Sequence, residues 1–379
     1  MGRRHREGAS PHHPPAPPCG RCGPRPAAPG LLSDTEFPGW PAVLGRFIDG
    51  DGLGRELARA SLTEILAGRA TDAQISAWII GLRLAGEQPD ELAGLVDAML
   101  DVAEPIELAA GAIDIVGTGG APSRRRHALS VSTMSCFVAA AAGAQVCKHG
   151  NVKASATSGS FDTLAALGVT TDLGAAGVAT CVEEAGVGFV FARRFHPAMR
   201  HVGPVRAELG VPTVFNVLGP LANPARVRHH LIGVSDPRLL DTVAEVLRVR
   251  GSERAWIVHG HDGLDELTTT TTSTVVELRD GEVRRFTLDP SDHGIPSATL
   301  DDLAGGGPED NARIAGELFG GAEGARADIV ALNSGAALVV AGLADDLDAG
   351  IAAARTAMTD GSAAATLAKV VEVSAVAGA

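Results

Sequence analysis

From Pro41 to Ala103 apolar residues recur every three or four positions: Leu44, Phe47 and Ile48, then Leu57, Ala60 and Leu62, then Ile65 and Leu66. That period predicts short amphipathic helices. Thr71 is placed to cap a helix over Ala73 to Ala85, with Ile75, Trp78, Ile79 and Leu82 on one face. Asp90 caps or opens the next helix, Leu92 to Val102. Tight connections between such helices predict a small bundle over residues 39–108, suited to docking or dimerisation. Beyond it, short apolar runs alternate with helical stretches. Strands are predicted at Ile113 to Val116, Gln145 to Cys147, Gly188 to Phe191, Leu231 to Val234 and Ala255 to Val258. Helices are predicted between them, over Met134 to Ala142, Phe161 to Leu167, Ala176 to Glu184, Pro197 to Leu209 and Asp236 to Arg250. Strands that feed helices in this way usually lie parallel. Thr213 to Phe215 reads as one more strand, followed by a loop from Asn216 to Pro224. Asp280-Gly281 between two alternating runs predicts a β-hairpin. Helices over Ala312 to Phe319, Ile329 to Leu343 and Leu347 to Met358 are expected to cover the sheet or return to the bundle. The class is α/β: a small N-terminal helical bundle domain, then a larger α/β domain over residues 109–379 with a mainly parallel sheet and a hairpin.

Composition narrows this picture without redirecting it. Residues 1–38 are rich in Pro, Gly, Arg and His, lack periodicity, and are expected to form a disordered extension. The formal net charge of −13 argues against a nucleic-acid partner. No apolar run approaches the ~20 residues of a membrane span, so the cytoplasm is the default compartment. Cys136, Cys147 and Cys181 fall in apolar patterns and read as core thiols. Cys19 and Cys22, even with His12 and His13 nearby, lack the second pair that a zinc ribbon requires.

The chemistry concentrates between Ile113 and Asp162. Gly117-Thr118-Gly119-Gly120 follows the first strand, and Ser132-Thr133 opens the helix after it. The second strand ends on Lys148-His149-Gly150-Asn151, and Ser158-Gly159-Ser160 begins another helix. Bare backbone amides, hydroxyls and a lysine beyond the carboxyl ends of parallel strands suit a phosphate or diphosphate. Asp265-Glu266, after the strand Ala255 to Val258, would suit a hard cation, with Ser132 as a hydroxyl partner. Arg206 is a candidate fork for a carboxylate. His149 and His196 fit either core hydrogen bonding or ligand contact. Arg124-Arg125-Arg126-His127 reads as a basic loop able to close over polyphosphate.

Taken in order, these motifs resemble those of the anthranilate phosphoribosyltransferase family, as do Phe195-His196-Pro197, Val211 to Asn223 and Asp262 to Glu266. The likeness runs from Trp40 to the C-terminal helices. It implies a helical domain hinged to an α/β domain of nucleoside-phosphorylase-like architecture, usually as a homodimer through the helical domain. It also implies magnesium-dependent transfer of a phosphoribosyl group from phosphoribosyl pyrophosphate to anthranilate, in tryptophan biosynthesis. By matching position, Gly117, Thr118, Gly119, Gly120, Ser130, Ser132, Thr133, Lys148, Ser155 and Ser160 would hold the donor. Gly117, His149, Asn151 and Arg206 would hold anthranilate. Ser132, Asp265 and Glu266 would serve magnesium, and Lys148 and Arg206 are the catalytic candidates. The chain departs from the family pattern at Ala121-Pro122 (usually Asp-Gly), Ser130 (Asn), Val152 (Arg), Ala156 (Ser) and Met199 (aromatic). Most of these lie around the donor site. A relative using another aromatic amine, and a weakly active binding or regulatory paralogue, therefore stand as alternatives.

Overall fold

Thr71 caps its helix with both halves of a capping box: its Oγ1 accepts from the Gln74 N–H at 3.3 Å, and Gln74 Oε1 accepts from the Thr71 N–H at 2.9 Å. The computed structural model of the chain describes residues 37–119, 129–152 and 159–378. In it the bundle consists of α1 (Trp40–Ile48), α2 (Gly54–Leu66), α3 (Asp72–Ala85) and α4 (Pro89–Asp101). The cap of α4 is Gln88 rather than Asp90, because Glu91 turns back to accept from the Gln88 N–H at 2.9 Å. Phe37, inside the stretch expected to lack order, sets its ring edge-on to Trp40 at 5.3 Å. Cys19, Cys22, His12 and His13 lie outside the described residues.

The α/β body runs β1 (Ile113–Gly117), α5 (Val131–Ala141), β2 (Val146–Gly150), α6 (Ser160–Ala166), α7 (Ala175–Ala185), β3 (Val187–Phe191), α8 (Ala192–Phe195), α9 (Gly203–Leu209), α10 (Val214–Leu221), β4 (His229–Gly233), α11 (Leu240–Val249) and β5 (Arg254–Gly260). The hairpin is β6 (Ser273–Arg279) and β7 (Glu282–Leu288), and α12 (Pro308–Phe319), α13 (Ala325–Val340), α14 (Leu347–Thr359) and α15 (Ser362–Ala377) complete the chain. The sheet order is β3-β2-β1-β4-β5-β6-β7. The first five positions pair in parallel, and β6 and β7 are antiparallel. Asp280 and Gly281 both take positive φ, 53° and 84°, as a two-residue hairpin turn of this hand requires.

Alternation along the strands sorts the two faces of the sheet into separate cores, with a smaller third cluster around Cys147 of β2, Val190 of β3 and Val178 of α7. Ile113, Ile115, Val146, Leu231 and Trp256 face a cluster that includes Met134 and Phe137 of α5 and Leu332 of α13. Ile232 and Ile257 face the other way, into one cluster with Leu240 and Val243 of α11, Leu218 of α10, and Trp78, Leu92 and Val96 of the bundle. The bundle core is thus continuous with one face of the sheet, while the C-terminal helices cover the opposite face.

Three expectations are corrected. Val214 and Phe215 begin α10 rather than a strand, because Thr213 caps it with Asn216, whose Oδ1 accepts the Thr213 N–H at 3.0 Å. The stretch Asn216 to Pro224, expected as a loop, supplies most of that helix. A short β-branched and aromatic run followed by Pro and Gly mimics a strand and turn, and packing of Phe215 against Trp78 at 6.2 Å decides otherwise. The expected helix Pro197 to Leu209 divides into a 3-10 turn, Pro197–His201, and α9, where Gly203-Pro204 interrupts the pattern. Its predicted cap is present: Gly210 is left-handed at φ 64°. Helix α15 adds to the three clearest C-terminal helices, its Ala and Val residues spreading around it without a clear stripe. Its Ala363, Val370 and Val373 are nonetheless buried.

Candidate active site

The order of strands reverses on either side of β1, so the crevice of the sheet opens beyond the carboxyl ends of β1 and β4. Two glycines make room there. A Cβ on Gly117 would lie 2.4 Å from Asp265 Oδ2, and a Cβ on Gly233 only 1.6 Å from the Asp265 carbonyl oxygen. Asp265 fits into that space and accepts from the Gly119 N–H at 2.8 Å. Gly119 itself has φ +66°, a conformation glycine adopts without a steric cost. Thr118 ties the turn to the end of β4, its N–H donating to the Gly233 carbonyl at 2.9 Å and its Oγ1 accepting from the Ser235 N–H at 3.1 Å. The glycine turn and the Asp265-Glu266 loop, 146 residues apart in the chain for Gly119 and Asp265, are one structure.

Lys148, 2% exposed, extends from β2 and donates to the Ile115 carbonyl and to Ser132 Oγ, the latter at 3.2 Å. Ser132 and the buried Thr133 sit in the first turn of α5. Asn151 and Ser160 meet, Ser160 Oγ donating to the Asn151 carbonyl at 3.3 Å. Ser130 is engaged elsewhere: its hydroxyl pairs with Thr163 at 2.9 Å and its N–H donates to Asn311 at 2.8 Å. Gly120, Ser155, Ser158 and the run Arg124 to Arg126 lie outside the described residues, as do Ala121, Pro122, His127 and Ala156.

Helix α10 backs the other side. His149 Nδ1 pairs with the Gly219 carbonyl at 3.0 Å, and His196 Nε2 with that of Ala222 at 3.0 Å, their rings 5.2 Å apart. Burial pushes His149 down to about 3, so it is neutral near pH 7. Its Nε2 is buried with no hydrogen-bond partner among the described residues. Arg206 on α9 lies over Phe215 at 5.3 Å and reaches Asn216 Oδ1 at 3.5 Å. Burial lowers its pKa, and among the described residues it has no carboxylate partner.

Sequence reasoning passed over Asp114, Asn223, Ser235 and Gly233. Asp114 is fully buried, accepting from the His149 N–H at 3.2 Å and from Asn223 Nδ2 at 2.8 Å. The signal was present: a lone carboxylate inside the apolar run Ile113 to Val116 needs a partner.

These buried groups set the response to acid. His149 and His230 both lie near 3, displaced chiefly by burial, against about 6.5 for an exposed imidazole. Their contribution to stability is complete above about pH 6.5 and is lost as pH falls, because the unfolded chain takes up protons the folded one refuses. Burial raises Asp114 to about 6, so its contribution runs oppositely, complete at low pH and lost as pH rises through 6. Two imidazoles outweigh one carboxyl. Burial lowers His196 in the same direction, so the net is a loss of stability as pH falls below about 6.5. The thermal midpoint should therefore be lower at pH 5 than at pH 7, and a midpoint that rises on acidification would contradict the assignment.

Asp265 and Glu266 are both buried, and with Ser132 they offer only oxygen donors. Among the described residues no group of three or more His, Cys, Asp or Glu forms a complete metal cage. That set fits magnesium, which completes its shell with phosphate oxygens and water rather than with protein alone.

Known proteins resemble this chain in sequence and fold over most of its length. Residues 109–364 match the family described as glycosyl transferase family, a/b domain, and residues 41–103 its helical bundle domain. The chain is 49% identical over 322 residues to an anthranilate phosphoribosyltransferase of Methylorubrum extorquens, covering 85% of this chain and 95% of that one. It is 48% identical over 327 residues to that of Thermomicrobium roseum, covering 85% and 93%. The crystal structure of the Thermus thermophilus enzyme superposes with a TM-score of 0.83 at 41% identity, covering 88% of this chain and 99% of that one. The Saccharomyces cerevisiae enzyme in complex with PRPP and Mg gives 0.80 at 26% identity, covering 89% and 98%.

Proposed function

The chain belongs to the anthranilate phosphoribosyltransferase family, and from that premise we propose how its own residues perform the transfer. The reaction moves the 5-phosphoribosyl group from phosphoribosyl pyrophosphate to the amine of anthranilate, a step of tryptophan biosynthesis. The carrying observation is the hydrogen bond from Gly119 to Asp265 at 2.8 Å, which unites the anion-binding turn with the carboxylate loop.

The donor would lie across Gly117, Thr118, Gly119, Ser132, Thr133 and Lys148, with Ser160 at its edge and Gly120, Ser130 and Ser155 assigned by motif position. Asp265, Glu266 and Ser132 would hold magnesium, which neutralises charge on the diphosphate. As the C1–O bond breaks, the pyrophosphate carries away the electron pair, and the Lys148 ammonium offsets the charge that develops. The amine nitrogen forms the new C1–N bond and then releases one of its two protons to the departing pyrophosphate or to water. An aromatic amine is already neutral near pH 7, so no strong base precedes attack. Arg206, Asn151, Gly117 and the neutral His149 orient anthranilate, the guanidinium taking its carboxylate. Orientation of this kind contributes up to roughly 7–11 kcal/mol.

The protein would act in the cytoplasm as a homodimer through residues 39–108, where Ile48 of α1 and Leu84 of α3 are exposed apolar side chains. Purified protein with phosphoribosyl pyrophosphate and magnesium should consume anthranilate, followed by loss of its fluorescence. Donor consumption only with another amine, or donor binding without turnover, would overturn the reading. Arg206→Ala should raise the KM for anthranilate about 10²-fold, as expected when a charge-assisted pair worth ~3 kcal/mol is lost. The KM for the donor should hardly change, and equal effects on both substrates would contradict the assignment.

A further inference from the structure

Strand β1 pairs with β4 over five positions, Ile113 to Gly117, and β2 pairs with β3 over five, Val146 to Gly150. Between β1 and β2 the register covers one position, Ile113 opposite Val146. In a parallel ladder the next rungs would use the Cys147 carbonyl, the Ile115 carbonyl and the His149 N–H. Here each is taken by a side chain. Asn223 Nδ2 donates to the Cys147 carbonyl at 2.8 Å, Lys148 Nζ donates to the Ile115 carbonyl, and Asp114 Oδ1 accepts from the His149 N–H at 3.2 Å. Asn223 Nδ2 also donates to Asp114 Oδ2 at 2.8 Å, and Asn223 Oδ1 accepts from the Ala225 N–H at 2.9 Å. Buried backbone groups must be paired, so the ladder between these two neighbouring strands can be interrupted only because these three side chains take the place of its rungs. Asp114 and Lys148 project to opposite faces, each serving the strand the other comes from.

We propose that Asp114 and Asn223 are positioning residues of the donor site: with Lys148 they hold the sheet open between β1 and β2 at its carboxyl edge. The opening sets the separation of the Gly117 to Gly119 turn from the loop beginning at Gly150, and fixes where the Lys148 ammonium stands. A normal ladder would bring the two loops together and free Lys148 from Ile115. The inference rests on the assignment of Lys148 to the donor. It explains why a fully buried carboxylate is kept where an apolar side chain would complete the strand, since such groups otherwise disfavour folding.

The test is a double-mutant cycle on full-length protein with phosphoribosyl pyrophosphate, magnesium and anthranilate. Asp114→Asn turns an acceptor facing Asn223 Nδ2 into a second donor, and should lower kcat/KM for the donor about 100-fold with little change in the KM for anthranilate. In a Lys148→Met background the same substitution should cost less than threefold, because its effect passes through the lysine. Asn223→Ser leaves Asp114 and its His149 contact in place while withdrawing the amide from the Cys147 carbonyl, and should lower kcat/KM for the donor at least about tenfold by the same route. When Asp114→Asn alone does not fold, Asn223→Ser is the decisive arm, and its loss should likewise shrink to less than threefold in the Lys148→Met background. A kcat/KM for Asp114→Asn within threefold of wild type overturns the inference. So do additive losses in the Lys148→Met background, or a kcat/KM for Asn223→Ser within threefold of wild type. If the wild-type protein transfers to a different amine, the same cycle is read with that acceptor, so failure of the acceptor assignment is seen separately.

Discussion

Replacing Lys148 by alanine is expected to lower kcat/KM for the phosphoribosyl donor by about 10²–10³, the ~3–4 kcal/mol typical of one preorganised group facing developing charge. The side chain is 2% exposed and held by Ile115 and Ser132, so its ammonium is already placed before substrate arrives. Arginine should not rescue it, because a planar fork does not fit a site shaped by one carbonyl and one hydroxyl. Truncation also strands the Ile115 carbonyl, at a cost of about 1–3 kcal/mol. The thermal midpoint should therefore fall as well, and kinetics belong well below it. A KM for anthranilate near the wild-type value separates this variant from Arg206→Ala. Loss of anthranilate binding with donor binding intact would show that Lys148 serves the other substrate.

Gly233→Ala should be as damaging by a different route. The new methyl would stand 1.6 Å from the Asp265 carbonyl oxygen, a clash with backbone that no rotamer relieves. The Asp265-Glu266 loop must move, which breaks the Gly119 contact and displaces the proposed magnesium ligands. Overpacking of this kind costs about 1–3 kcal/mol or more in stability. The functional mark is a magnesium requirement shifted upward at least tenfold, with activity at saturating metal reduced about 10²-fold if one preorganised contact is lost. Gly316→Ala in α12 is the control, since its Cβ meets nothing within 4 Å. It should stabilise by about 0.5–1 kcal/mol and leave the magnesium titration unchanged. An unaltered magnesium response in Gly233→Ala would separate this loop from the metal.

Pattern alone was enough for the elements whose local and tertiary preferences agree. The Thr71 cap, the Gly210 stop, the Asp280-Gly281 turn and the alternation of strands with helices all express short-range backbone chemistry. So does the glycine turn ahead of Ser132, with Lys148 at the end of the next strand. Their order along the chain also carried the family resemblance. Tertiary structure decided the rest, because the deciding partners are remote. Val214 and Phe215 became helical through packing on Trp78. Ser130 was directed to Thr163 and Asn311. The bare Cα of Gly233 acquired its purpose only when Asp265 came within reach. Asp114 stood in plain view as a charge in an apolar run, but a buried carboxylate has meaning only through what satisfies it. Those partners, His149 and Asn223, lie 35 and 109 residues away. Local periodicity encodes which face of an element is buried; it does not encode which strand pair is left unzipped.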